Sequence, residues 1–458
     1  MPPIHFTLTK APFRPRSIGS LAPETLLQIF DYLFQDAKLA MEDDQYDIVS
    51  LFPFTTASVC RDWLGALALK ATYWTNVVIP LDFPILPSIM TAYVDMIRHQ
   101  TIVNVHVIYC ELSTVHIKAG TERARVGSAM RLLKPHLPKC ETIVIDTRYR
   151  SSVIVATDHL DCLTVDPLNK LALVSAVSDT VDESEFTHFT CPNLISLSID
   201  AKTLVDFIAS DGPKGNPRDH AAIKELNVTT YRAEVECGLP ELLSTEVVRA
   251  ICDLVKEYGW LDTLTIEDIV CEDDGDVDGY SEGDEALLML LMPIIRNVGD
   301  VYLTDLNGPF LHSFFIGFNP PNDGGESRVV SLTRCSLHVP VTIRNTCKLK
   351  LYEMNDIKHV MHALAHWDGL HLSVEDCQGF GDPVLDTITL SGFCPTFGGL
   401  YIDNCPVSLP SMRRFVSMRE GELWRLKVSG GPELSEEDKQ KFKDSISDGL
   451  TWNGEVIL

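Results

Sequence analysis

Hydrophobic positions change rhythm twice along the chain. Residues 1 to 17 hold Pro2, Pro3, Pro12 and Pro15 without any period, which predicts a flexible tail. From Ile18 a helical stripe appears: Leu26, Phe30 and Leu33 recur at helical spacing, widened by Leu27, Ile29 and Phe34. Pro23 occupies the expected first helical position, with Glu24 in the first turn, where a carboxylate suits the helix dipole. A second helix is predicted over Thr55 to Lys70, with Val59, Trp63 and Leu67 four residues apart. The acidic segment Gln35 to Asp47 between them reads as an insertion. Two such helices supply too small a core to stand alone, so they need the rest of the chain or a partner.

From about residue 100 short alternating strands recur. They are Val103–Val107, Thr142–Ile145, Cys162–Val165, Leu194–Ile199, Glu225–Val228, Leu261–Ile266, Val301–Leu303, Val330–Leu332, Leu349–Leu351, Leu370–Val374, Leu400–Ile402 and Leu423–Val428. Helical periodicity fills several gaps, notably Thr245–Tyr258, Glu285–Val298 and Asp356–His366. Strand, loop and helix repeating at intervals of about 20–40 residues is the signature of a solenoid. Each unit buries its strand and helix against the next, which predicts a curved parallel sheet. Cysteine or asparagine follows several strands, as at Cys335, Cys377, Asn404 and Cys405, where it can satisfy backbone groups inside the stack. The rival is a doubly wound α/β fold, but the strands are too many for one compact sheet and no Gly-rich phosphate loop follows any of them. The expected organisation is a tail over 1–17, a helical module over 18–80 and an irregular α/β solenoid over 81–458.

Charge narrows the partners. The 458 residues carry a net charge of −26. That repels nucleic-acid backbones and favours a target of basic character. No run approaches the roughly 20 apolar residues of a membrane span. No secretory signal is visible, and the 13 cysteines form no C-x-x-C pair. Free thiols in a reducing compartment, cytoplasmic or nuclear, are therefore expected.

The amino-terminal module resembles the F-box family. The family's opening is matched by Leu21-Ala22-Pro23-Glu24-Thr25-Leu26-Leu27-Gln28-Ile29-Phe30, and its later signature by Val59-Cys60-Arg61-Asp62-Trp63, Leu67-Ala68 and Tyr73-Trp74. Ala22 stands where proline is most usual, and Thr25 where an aliphatic residue is. The whole is similar to fungal F-box proteins in which this module precedes degenerate leucine-rich repeats. The resemblance implies docking to the Skp-type adaptor of a cullin ubiquitin ligase, with the repeat surface selecting a protein substrate. Leu21, Pro23, Leu26, Ile29, Val59, Trp63 and Trp74 are the residues it assigns to the docking interface or its immediate support. The open alternative is a leucine-rich-repeat scaffold that binds protein without ligase association.

Other constellations point less far. Asp274 to Gly279, with Glu285, fits the oxygen spacing of a calcium loop. Ser281 stands there in place of an aliphatic residue, however, and no second loop pairs with it. An acidic surface loop explains the same residues. His359, His362 and His366 share helical spacing, yet no neighbouring carboxylate or thiol in the sequence completes a metal site. No G-x-S-x-G, H-E-x-x-H or P-loop motif occurs. The expectation is an adaptor without catalytic residues, metal or cofactor.

Overall fold

The computed structural model describes residues 21–42, 52–82, 84, 87–109, 117–180, 189–209, 223–231, 242–271, 295, 297–318, 328–343, 346–390, 394 and 397–458. Residue contacts divide the chain into two units, Met1–His116 and Ile117–Leu458. The expected tail and the calcium-like loop lie outside the described residues.

In the first unit, helix α1 (Pro23–Glu42) begins at the proline, as its stripe predicts. It runs well into the segment read as an insertion. Residues 35 to 42 are mostly good helix formers, and Ala37 is buried, so nothing stops the helix there. The second predicted helix is broken. Short helices α2 (Phe54–Ala57) and α3 (Arg61–Leu67) flank an extended Cys60, and a 3-10 turn follows at Ala71–Trp74. The Ser58 hydroxyl donates to the Thr55 carbonyl at 2.7 Å, a local bond that competes with helix continuation. Strand β1 (Asn76–Pro80) pairs in parallel with β2 (Val103–Ile108), across the connecting helix α4 (Pro87–Ile97).

The second unit is built on strands paired strictly in chain order. They are β3 (Cys140–Tyr149), β4 (Lys170–Val177), β5 (Ser196–Asp200), β6 (Glu225–Thr229), β7 (Leu261–Glu267), β8 (Val298–Thr304), β9 (Val329–Thr333), β10 (Lys348–Tyr352), β11 (His371–Glu375), β12 (Gly399–Asp403), β13 (Arg425–Ser429) and β14 (Gly449–Trp452). All these neighbours are parallel, and β15 (Glu455–Val456) closes the end antiparallel to β14. Among the parallel strands of this unit the interval between starts is shortest from Val329 to Lys348 and longest from Leu261 to Val298, so the repeat is irregular in length. This is the solenoid-like α/β arrangement expected from the rhythm.

Helices fill many of the connections: α5 (Ala119–Leu133), α6 (Arg150–Leu160), α7 (Ala201–Ala209), α8 (Ser244–Tyr258), α9 (Gly308–Gly317), α10 (Ile357–Leu364), α11 (Asp382–Leu390), α12 (Leu409–Met418) and α13 (Glu436–Ser445). Side chains of Asn307, Asp356, Ser408 and Ser435 accept from the first turns of α9, α10, α12 and α13, satisfying donors a helix start leaves open. Two sequence expectations need correction. Cys162–Val165 is a turn with one bridge, Thr164 to Thr190, and the neighbouring strand is β4 instead. Leu171, Ala172 and Leu173 are all buried, and such a continuous apolar run hides the alternation that marks a strand. Of the predicted helix Glu285–Val298, residues 285–294 lie outside the described residues, and Val298 already belongs to β8.

From β7 onward one register governs every repeat. Each strand contributes two inward aliphatic or aromatic side chains: Leu264 and Ile266, Val301 and Leu303, Val330 and Leu332, Leu349 and Leu351, Leu372 and Val374, Leu400 and Ile402, Leu426 and Val428, Leu450 and Trp452. All are buried, and each aliphatic one contributes about 1.5–3 kcal/mol by leaving water. From β7 to β12, the residue after each strand then turns into the left-handed region: Asp268, Asp305, Arg334, Glu353, Asp376 and Asn404, at φ 50 to 54°. Its N–H donates to the last carbonyl of the next strand, at 3.0–3.1 Å in all six cases. Further on, Cys335, Cys377 and Cys405 donate their thiols to the carbonyls of Leu303, Leu351 and Val374 in the preceding strands. Burial pushes the Cys335 and Cys377 thiols up to about 12 and Cys405 to about 11, which keeps them protonated donors. The stack uses turn cysteines as the sequence suggested.

A buried polar junction that sequence reasoning missed ties α6, β4, β5 and α7 together. The Arg150 guanidinium is fully buried and pairs with Asp206, which also accepts from Lys202 at 2.8 Å. Asp200 accepts from the Thr203 N–H at 2.8 Å and from the Ser175 hydroxyl at 3.0 Å. Burial outweighs these bonds and holds its carboxyl above the usual range.

The left-handed turn gives a direct test. Glu353→Gly and Glu353→Ile lose the same exposed ion pair to Arg334, so their difference isolates the backbone. Urea unfolding is expected to show the isoleucine variant less stable than the glycine variant by about 1–2 kcal/mol, the cost of a branched residue in that region. Equal midpoints would contradict the assignment.

Candidate docking surface

The amino-terminal helices are held together by aromatic rings. Phe30 of α1 meets Trp63 of α3 edge-on, with centroids 5.3 Å apart. Phe34, Phe52 and Tyr73 form a second cluster at 5.3–6.1 Å. Each such pair contributes about 0.5–1.5 kcal/mol beyond area burial. The Tyr73 hydroxyl donates to Asp31 at 2.7 Å and lies 3.1 Å from the Leu27 carbonyl, and Lys70 forms an ion pair with the same Asp31. These bonds, Lys70 first and Tyr73 second, hold the Asp31 carboxyl below its ordinary range. Burial, and then Asp31 itself, pushes the Tyr73 phenol above its own.

The residues assigned from the sequence fall into three groups. Trp74 is 0% exposed and donates its indole N–H to the Leu67 carbonyl at 3.0 Å, so it is core and cannot touch a partner directly. Leu26 is likewise buried. Ile29 and Trp63 are half-buried, and the Trp63 Nε1 is shielded from water without a hydrogen-bond partner among the described residues. Leu21, Pro23 and Val59 stand in solvent, Val59 with 57% of its surface exposed. Val59 is exposed because the chain leaves the helix before Cys60 and does not carry it inward with Trp63 and Leu67.

Sequence reasoning missed three further exposed apolar side chains here: Tyr32, Leu39 and Leu69. Tyr32 and Leu39 lie two helical turns apart on α1, hence on one helix face. That spacing was visible in the sequence, but the stronger stripe through Leu26 and Phe30 overshadowed it.

Two clusters of ionisable groups elsewhere are committed to structure. A depression of about 710 Å³ lies among the turns lined by Asp356, Gln378, Asp382 and Pro406. Its two carboxylates already accept from the Lys358 and Ser408 N–H groups. His362 Nδ1 lies 2.9 Å from the Leu337 carbonyl, and His359 meets the His338 ring at 6.1 Å, so the helical histidines are engaged separately. Among the described residues no group of three or more His, Cys, Asp or Glu side chains is arranged to hold a metal ion. None of the described helices is long and apolar enough to cross a membrane. No known family model matches the chain, and neither does any curated protein.

Asp31 sets a pH expectation. Because its folded carboxyl titrates below the ordinary value of 3.8, its stabilising contribution is full above that value and is lost as pH falls through the lower folded one. The difference in Tm between the unaltered protein and Asp31→Asn should therefore hold steady at neutral pH and close in strong acid. A gap that does not narrow at all as pH falls below 3.8 would place the effect elsewhere.

Proposed function

We propose that the chain is a substrate-recognition adaptor of an SCF-type ubiquitin ligase. Its amino-terminal helices dock a Skp-type adaptor and its repeat unit holds a protein substrate. The observation that carries this reading is the Phe30–Trp63 junction, with the flanking aliphatic positions of the same motif, Leu21 and Val59, left in solvent. A paired-helix core with exposed apolar side chains at its edge suits coverage by another protein. The resemblance of residues 18 to 80 to the F-box family supplies the identity of that protein.

The mechanism is positioning. A target bound to the repeats is held near a charged ubiquitin carrier at high effective concentration, so the chemistry needs no nucleophile or acid–base pair from this chain. Trp63 and Trp74 then act from beneath the surface, fixing α3 and the turn after it, while Leu21, Pro23, Ile29 and Val59 make the contact.

Binding of the purified full chain to the adaptor, followed by calorimetry, tests the reading. Micromolar or tighter binding is expected. Leu21→Ala with Val59→Ala, both outside the core, should weaken it at least about tenfold while leaving circular dichroism and Tm unchanged. An unaltered chain that does not hold the adaptor would remove the ligase reading and leave a protein-binding scaffold.

A further inference from the structure

On the solvent face of the sheet in the second unit, positive charge collects in a chain whose total is −26. Lys348, His371, Gly399 and Arg425 occupy one row of the ladder, on four consecutive strands. Lys350, Ser373, Tyr401 and Lys427 form the row beside it. A cavity of about 320 Å³ is lined by Lys348, His371, Gly399, Tyr401, Arg425 and Lys427 among others.

The recess depends on Gly399. A Cβ there would lie 2.4 Å from His371 Nδ1, so a larger residue would displace the ring and fill the hollow. The His371 ring rests edge-on against Trp424 at 4.9 Å, Arg425 lies over the Trp424 ring at 5.4 Å, and Lys427 lies over Tyr401 at 4.6 Å. Aromatic planes therefore hold the cations in place. Arg425 shares one carboxylate, Asp448 at 3.0 Å. Lys348, Lys350 and Lys427 have no ion pair among the described residues. Burial, together with the charges of Lys348 and Arg425, holds His371 below its ordinary pKa, a sign that these positive groups act on one small volume. The next row carries Glu375 and Asp403, so the positive zone has a negative border on one side.

We propose that this recess binds an extended acidic peptide segment of a partner protein, through carboxylates on successive same-side positions. Lys348 and Arg425 are three strand spacings apart, about 14 Å, too far for one anionic group to bridge. Alternate side chains of an extended segment recur at about 7 Å and span that row with two or three carboxylates. The inference rests on the reading of the repeats as the target-binding part. It also reverses, at this location, the basic target that net charge alone suggests.

The test uses the full chain without any adaptor, so it can fail independently of ligase docking. Fluorescence anisotropy is read with a labelled peptide of alternating glutamate and serine, with its glutamine counterpart, and with a glutamine peptide carrying one phosphoserine. The glutamate peptide should bind and the glutamine peptide should not. Lys348→Gln with Lys427→Gln should weaken binding at least about tenfold. Lys441→Gln, on α13, should leave it unchanged. Binding should also fall steeply near 1 M salt, where the Debye length is about 3 Å. Absence of glutamate-peptide binding, or equal affinity for the glutamine peptide, would overturn the proposal. So would tighter binding of the phosphoserine peptide, competed by inorganic phosphate, which would assign a single-anion site.

Discussion

No repeat in the second unit can bury its own strand. Each strand presents two inward aliphatic or aromatic residues that reach a dry environment only when the next strand and the helices behind are in place. Leu349 and Leu351, for instance, are sheltered between the equivalent pairs of β9 and β11. Cohesion is therefore a chain of nearest-neighbour contacts. The backbone repeats the logic, because the left-handed residue after each strand from β7 to β12 donates its N–H to the strand that follows. The cost of six left-handed non-glycine residues, about 1–2 kcal/mol each, is offset by bonds that exist only between adjacent repeats.

That arrangement places fewer demands on the opposite sheet face over β10 to β13, where Lys350 and Tyr401 are half-buried and Lys427 is exposed. Inward positions are constrained to be apolar and the turn positions to satisfy backbone, whereas several of these outward positions are polar or charged. Variation in strand spacing is absorbed by the connections, as the contrast between the β9–β10 and β7–β8 intervals shows. Cations can consequently gather over β10 to β13 in a strongly acidic protein, since the paired acidic residues of the turns, such as Asp305 and Glu353 around Arg334, lie in a different register.

Much of this was legible in the sequence because a two-residue alternation survives in most strands. Val301–Leu303 and Leu349–Leu351 could be read directly, and so could the turn cysteines. β4 escaped because its run is apolar on both faces, and the break at Cys60 escaped because a four-residue spacing of Val59, Trp63 and Leu67 mimics a continuous helix. The recess at Gly399 was invisible for a different reason. It depends on which residues lie side by side across strands well separated along the chain, and only the register reveals that Lys348, His371 and Arg425 share a row. The Arg150–Asp206 pair was hidden likewise, by a separation of 56 positions.

At the other end of the chain the same economy holds on a smaller scale. Phe30, Trp63 and Trp74 fix the helices, and Leu21 and Val59, not needed for that core, stay exposed. On the proposed reading, one chain joins two bodies, an adaptor through its first helices and an acidic target through its repeats. Sedimentation velocity of the full chain mixed with both the purified Skp-type adaptor and the labelled glutamate peptide tests it most directly. The account predicts one faster boundary carrying all three components at once; peptide and adaptor that displace each other, or that sediment apart from the chain, would contradict it.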